Sequence, residues 1–379
     1  MVETDHRQAI ASAKRVVVKF GTRVLVDRRG RPNPDRIQAI VDQIASLQAE
    51  GREVVLVSSG AVGAGLDPLG FATRPADLAG LQMAAAVGQT RLMSLYAERF
   101  AEKRIAVGQV LLNHDDLKNR TRHLNARNTL LGLLEKGAVP IVNENDVVSV
   151  NEIRLGDNDT LASLVSVLVD AQVLILCTSV NGLRAPSGKS RTTRISYLPK
   201  VDQSALDLTF GKGDALSTGG MATKLEAART ANRAGIPALI VDGRKADSLI
   251  NACRGGDVGT LLGPAGPQSR IRGKRKHWIA FFHKPTGTVT VDSGAERALV
   301  RDGKSLLAAG IKQVEGQFDT GAVVEVISSD GRALATGLSE FSSEDLHCIL
   351  GKQSDQILEL FGPGVSTEVI HRNNLALYA

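Results

Sequence analysis

Cysteine is scarce in this chain, and its few positions lie far apart. Cys177, Cys253 and Cys348 are the only three in 379 residues, with no Cys-x-x-Cys and no metal-ligand spacing. This excludes a disulfide scaffold and is the pattern of a reducing, cytoplasmic compartment. Trp is rarer still, at one, and Tyr equally rare, at three. No uninterrupted apolar run approaches the ~20 residues of a membrane span. The best candidate, Leu161 to Leu176, is broken by Asp170 and Gln172. The start, Met-Val-Glu-Thr-Asp-His, is polar and does not read as a signal peptide. His-Glu-x-x-His, Gly-x-Ser-x-Gly and a kinase catalytic loop are all missing. The histidines are scattered, and His123 and His371 read as surface residues.

Glycine, in contrast, is abundant at 38, as tight strand-to-helix turns require. Apolar runs alternate with helical periodicity. Strands are expected at Arg15 to Phe20, Glu53 to Val57, Ala106 to Leu112, Val139 to Val142, Val173 to Cys177 and Pro237 to Val241. Helices are expected at Pro34 to Glu50, Leu78 to Lys103, His123 to Lys136, Thr160 to Val169 and Gly219 to Ala234. That alternation implies an α/β fold, a parallel sheet with helices on both faces. The texture changes near Pro264. A Gly/Pro-rich linker and a basic run, Arg270 to Lys276, precede short, closely spaced strands from Trp278 onward. Those suggest a small, mostly-β barrel. The formal charge of +6 permits polyanion binding without showing it.

The stretch Asn143 to Asp159 carries five acids, Glu144, Asp146, Glu152, Asp157 and Asp159, just after an apolar strand. It is either a solvated loop ending in a helix cap at Asp159 or a ligand site at a strand's carboxyl end. Lys19 ends a strand beside Gly21, where a lysine can reach a phosphate held on backbone amides. Thr218, Gly219, Gly220, Met221, Ala222, Thr223 and Lys224 open a helix whose free amides suit an anion. Ser58-Ser59-Gly60-Ala61 follows another strand, with glycines spaced unlike a dinucleotide fingerprint. Gly182 to Ser190 is a near miss for a P-loop and reads as a surface hairpin or loop. Together these ask for a phosphate donor at Lys224 and the glycine turn, and an acceptor near Ser59 and Asp146. Phosphoryl transfer of that kind needs positioning and charge neutralisation, with Mg²⁺ on the β- and γ-phosphates.

Read in order, six motifs resemble the glutamate 5-kinases of the amino-acid kinase superfamily. They are Val-Val-Lys19-Phe-Gly-Thr, Ser58-Ser-Gly-Ala61, Leu124-Asn-Ala-Arg127, Asn143-Glu-Asn-Asp146, Gly156-Asp-Asn-Asp159 and Thr218-Gly-Gly-Met-Ala-Thr-Lys224. The tail resembles that family's PUA domain. The resemblance implies a three-layer αβα kinase domain over 1–262, a linker over 263–277, a PUA barrel over 278–364 and a C-terminal tail over 365–379. It implies ATP-dependent phosphorylation of the L-glutamate side-chain carboxylate, the first step of proline biosynthesis. Lys19, Lys224 and Asp159 are similar to the family's catalytic residues. Ser59, Asp146, Asn158 and Asp157 match its glutamate positions. Lys19, Thr178, Ser179 and Thr218 to Lys224 match its nucleotide positions. No side chain is assigned to a metal. L-Proline feedback inhibition and a homo-oligomer, dimer or tetramer, are implied too. The chain departs from the family at Ser179, where an Asp is usual, at Arg184, where a Tyr is usual, and at Arg23, where a small polar residue is common. The rivals are a related kinase acting on a carbamate, a phosphorylated nucleoside or acetylglutamate, a catalytically dead regulator, and an RNA-binding protein that keeps the fold.

Overall fold

The computed structural model describes residues 3–27, 29–148, 158–187, 191–207, 220–263, 279, 281–282 and 285–378. The chain divides into two compact units, Met1–Pro267 and Gln268–Ala379. The first unit runs α1 Glu3–Ala11, β1 Arg15–Phe20, α2 Thr22–Leu25, α3 Pro34–Ala49, β2 Glu53–Ser58, α4 Ala61–Gly65 and α5 Leu78–Glu102. It continues with β3 Val107–Leu112, α6 His114–Lys118, α7 Arg120–Glu135, β4 Val139–Glu144, α8 Asn158–Leu168 and β5 Val173–Thr178. Then come β6 Arg184–Ser187, β7 Arg191–Arg194, β8 Tyr197–Leu198, α9 Gln203–Asp207, α10 Met221–Arg233, β9 Ala238–Asp242, α11 Ser248–Cys253 and β10 Thr260–Leu262.

Eight of these strands form one sheet in the order β3-β4-β2-β1-β5-β9-β10-β8. β1 lies at its centre, parallel to β2 on one side and β5 on the other. Only β10 runs against its neighbour β9. Val16 to Val18, Val54 to Val57 and Val173 to Cys177 are all shut off from solvent. A parallel sheet covered on both faces needs such unbroken apolar strands. α3 shows how a helix joins it. Asn33 caps the start by accepting from the Asp35 and Arg36 amides, and Pro34 stands where no N–H is needed. Ile37, Ile40, Val41, Ile44 and Leu47 repeat at helical spacing and are buried in the main core. Truncating one of them to Ala should cost roughly 2–5 kcal/mol. Gly51, at φ +80°, ends the run.

The second unit has its own core, built on Val289, Val291, Val324, Val326, Ala335 and Leu346 among others. A five-stranded sheet orders Ile311–Glu315, Gly287–Val291, Val323–Ser328, Ala333–Leu338 and Leu375–Leu377. Leu306–Leu307 pairs with Glu368–Ile370. The segment 365–379, expected as a tail, therefore carries two of the unit's strands. Ile279, Phe281 and Phe282 are helical, where the sequence reads Trp278 to Phe281 as a strand. Ile279 and Phe282 are both buried, and a spacing of three puts them on one helix face. His123 also departs from its surface reading. It is 4% exposed on α7.

Candidate active site

Parallel strands send their carboxyl ends to one edge of a sheet, and open α/β sheets bind ligands there. β1, β2, β4 and β5 end on Phe20, Ser58, Glu144 and Thr178. Backbone bonds tie the ends of β1, β2 and β5 together. Ser59 N donates to Phe20 O at 3.3 Å, and Gly21 N donates to Cys177 O at 3.1 Å. Gly60, at φ +110°, turns the chain out of β2 into α4, a conformation that only glycine adopts readily.

Asp159 lies in the first turn of α8 and is fully buried. Lys19 Nζ, from β1, donates to its Oδ1 at 2.7 Å. Lys224 Nζ, from α10, donates to its Oδ2 at 3.0 Å. The Thr223 hydroxyl is 3.0 Å from the same Oδ2 and 2.9 Å from Gly220 O. Burial works to raise the Asp159 carboxyl, but the two lysine charges outweigh it and hold the group below its ordinary value. Burial lowers Lys224, and Asp159 opposes that shift, while the charges of Lys19 and Arg23 add to it. An anion brought against Lys224 would relieve the strain on its charge. α10 opens at Gly220 with no side-chain cap among the described residues, and the uncapped amides of a helix start suit a phosphate.

Beside this cluster lies a group of amides. Asn158 Nδ2 donates to Ser59 Oγ at 3.0 Å and to Asn143 Oδ1 at 2.9 Å. Asn143, on β4, donates in turn to Gln89 Oε1 on α5 at 2.9 Å. Asn158 Oδ1 is buried and has no partner among the described residues. Ser59 Oγ accepts from Asn158, and no described residue takes its proton. The site therefore offers an acceptor and a donor side by side. An ammonium next to a carboxylate, as in an α-amino acid, complements that pair. Asp146, just past β4, is half-buried. Burial pushes its carboxyl up to about 6, and the charge of Arg74 draws it partly back. The Ser58 hydroxyl lies 3.1 Å from Ser59 O and 2.9 Å from the Tyr96 hydroxyl of α5.

Thr178 and Ser179, expected at the nucleotide, stand at the end of β5, and Thr178 is in register with Asp242 of β9. The Asp242 carboxylate is forked by Arg244, at 3.0 Å from Nε and 2.9 Å from Nη2, which lowers it. Arg184 is turned onto Thr192 across the β6–β7 hairpin, donating to its hydroxyl and carbonyl oxygens at 2.8 and 2.7 Å. Met221 and Ala222 form the start of α10. Asp157, Thr218, Gly219 and the basic run from Arg270 to Lys276 lie outside the described residues.

The structure thus brings Lys19, Asp159, Thr223 and Lys224 together, and Ser59 with Asn158. It adds Asn143 and Gln89, to which the sequence reading assigned no role. Gly88 was the available signal for Gln89. A glycine inside a helix marks a close packing contact. A cleft of about 690 Å³ also opens within the second unit, where Lys304, His371 and Arg372 line it with Asp292 and Glu368. Its charges are of mixed sign, and no residue of the chemistry above belongs to it.

Residues 14–242 match the amino acid kinase family and residues 287–361 match the PUA domain. The glutamate 5-kinase of Geobacter sp. strain M21 is 44% identical over 373 residues, covering 98% of this chain and 99% of that protein. The glutamate 5-kinase of Moorella thermoacetica is 41% identical over 377 residues, covering 99% of each. That of Chromohalobacter salexigens is 43% identical over 376 residues, again covering 99% of each. By its motifs, its sheet and this full-length similarity, the chain belongs to the amino acid kinase family, among the glutamate 5-kinases that carry a PUA domain.

Proposed function

We infer that this chain transfers the γ-phosphoryl group of ATP to the side-chain carboxylate of L-glutamate, giving L-glutamyl 5-phosphate, the first step of proline biosynthesis. The observation that carries this reading is the buried Asp159, with one lysine on each oxygen, next to amides that complement an amino acid. A carboxylate oxygen of glutamate forms the new bond to the γ-phosphorus. The bond from that phosphorus to the β,γ-bridging oxygen breaks, and ADP leaves with the electron pair. The attacking carboxylate is ionised at neutral pH, since its ordinary pKa is about 4.3. No general base is required.

Each residue then has a role in this proposal. Lys19 and Lys224 neutralise the moving phosphoryl group. Asp159 fixes both ammonium groups, and Thr223 braces the carboxylate. Ser59, Asn158 and Asp146 hold the glutamate, with Asp157 in the same loop. Thr178, Ser179 and the start of α10 from Thr218 to Lys224 hold the nucleotide. Mg²⁺ fits as an ion carried by the nucleotide. Among the described residues no three His, Cys, Asp or Glu side chains gather, and the oxygens of Asp159 already accept from Lys19, Lys224 and Thr223. Phosphate oxygens and water would be its ligands, where it withdraws charge from the leaving group.

L-Proline is proposed as a feedback inhibitor. It has the α-carboxylate and ammonium that Ser59 and Asn158 complement, but no side-chain carboxylate to accept phosphate. A homo-oligomer is proposed too, and the exposed apolar side chains of Leu69, Met83, Val147 and Val148 support it. A cytoplasmic location fits the use of ATP. No described helix is long and apolar enough to cross a membrane.

Hydroxylamine trapping tests the reading directly. Acyl phosphates give a hydroxamate that colours with ferric ion. Purified protein with Mg-ATP and L-glutamate should give colour that depends on glutamate and falls when proline is added. Colour that is independent of glutamate, or absent from folded protein, overturns the assignment.

A further inference from the structure

Gln89 lies outside the residues assigned to substrate, yet it terminates the amide chain that reaches them. Its helix is clamped. A Cβ added at Gly88 would stand 1.8 Å from Ala61 O, and one at Gly65 would stand 1.9 Å from Ala84 O. α4 and α5 therefore touch backbone to backbone, directly beside Gln89. The side chain accepts at Oε1 from Asn143 Nδ2, and Asn143 Oδ1 accepts from Asn158 Nδ2.

A primary amide has one donor end and one acceptor end. If any one of these three turned over alone, two like ends would meet. Their orientations are thus coupled. In the observed sense Asn158 Nδ2 faces Ser59 and Asn143, and Asn158 Oδ1 is left for the ligand. In the reverse sense Asn158 would present N–H groups to the ligand, and Ser59 would give its proton to Asn158. The pocket would then repel the ammonium it now accepts.

We propose that Gln89 is a positioning residue that sets the polarity of the Asn143–Asn158 amide chain, and through it the selectivity of the site for the α-ammonium and α-carboxylate of its substrate. This rests on the glutamate reading above. Asn143 is 2% exposed, so water has little access to replace Gln89 as its partner.

Two variants test it in steady-state kinetics on the full-length protein. Gln89→Glu keeps an acceptor and locks the observed sense. Gln89→Met removes the amide at similar volume. The expected result is a glutamate KM raised about tenfold or more by Gln89→Met, the order of one lost buried hydrogen bond. Its ATP KM and kcat should stay within about twofold, and Gln89→Glu should hold the glutamate KM within about threefold. An unchanged glutamate KM in Gln89→Met overturns the proposal. So does an equal rise in ATP KM, or a Gln89→Glu variant as impaired as Gln89→Met. Melting temperatures identify a folding defect, and Gln89→Ala replaces Gln89→Met if that variant does not fold. Failure of the underlying reading is separate: the unaltered protein would then show no glutamate-dependent hydroxamate at all.

Discussion

Asp159 stays ionised where burial alone would neutralise it, because Lys19 and Lys224 surround it. Removing one partner of such a buried set leaves an uncompensated charge and is costly, of order 3–5 kcal/mol. In Lys224→Ala that cost falls together with the loss of the cation that we propose acts on the moving phosphoryl group. The expected outcome is a kcat reduced by about 10² or more, with the glutamate KM within a few-fold. A near-normal kcat with a raised glutamate KM would remove Lys224 from the chemical step. Asp146 makes a different prediction. Its carboxyl is pushed up to about 6, so as pH falls through 6 it loses its charge, which we propose attracts the substrate ammonium. The kcat/KM for glutamate should then drop towards tenfold per pH unit below that value, and Asp146→Ala should raise the glutamate KM and flatten the profile. A profile unchanged by Asp146→Ala would take Asp146 out of the substrate site. The stability effect has the opposite sign. A carboxyl whose folded value exceeds 3.8 favours folding when protonated, so this group alone stabilises the ligand-free protein as pH falls through 6.

At the level of elements, the glycines between α4 and α5 do what a motif reading does not capture. A side chain at Gly88 must displace the carbonyl of Ala61, the first residue of α4, directly after the Gly60 turn that follows Ser59. Overpacking generally costs about 1–3 kcal/mol, and a backbone obstacle leaves little room to relax. Gly88→Val should therefore lower the denaturant midpoint and raise the glutamate KM together. A stability loss without any change in KM would separate the α4–α5 contact from the substrate site. The central strands were legible in sequence because a strand buried on both faces is a continuous apolar run, as in Val16 to Val18 and Val173 to Cys177. Lys19 was legible because it ends such a run beside Gly21, Asp159 because it stands at a helix start, and Lys224 because it follows a glycine pair that opens a helix. β8 and β10, at two and three residues, are too short for any period to show. The helix at Ser354–Phe361 went unread because Pro363 and three nearby glycines dominate its surroundings. For Gln89 the sequence offers only the neighbouring Gly88. Gln89 sits within a 25-residue helix, and only the fold brings it beside Asn143.

At the level of the whole molecule, the two units have separate hydrophobic cores, one around Val18, Ile40 and Leu56 and the other around Val289, Val326 and Leu346. Every residue assigned to phosphoryl transfer falls in the first. A core of its own is the usual condition for independent folding. A chain truncated after Pro267 should therefore fold with one cooperative transition and form the hydroxamate with kcat and both KM values within roughly threefold of the full-length protein. Loss of glutamate-dependent product from a truncated chain that still melts cooperatively would mean that the site draws on the second unit. If the truncated chain does not fold, a substitution confined to the second core, such as Val326→Ala, puts the same question to the intact protein. It should destabilise that unit by about 1–2 kcal/mol. Below the melting point, kinase activity that stays level would place catalysis in the first unit alone, whereas activity that tracks the weakened second core would tie the two together.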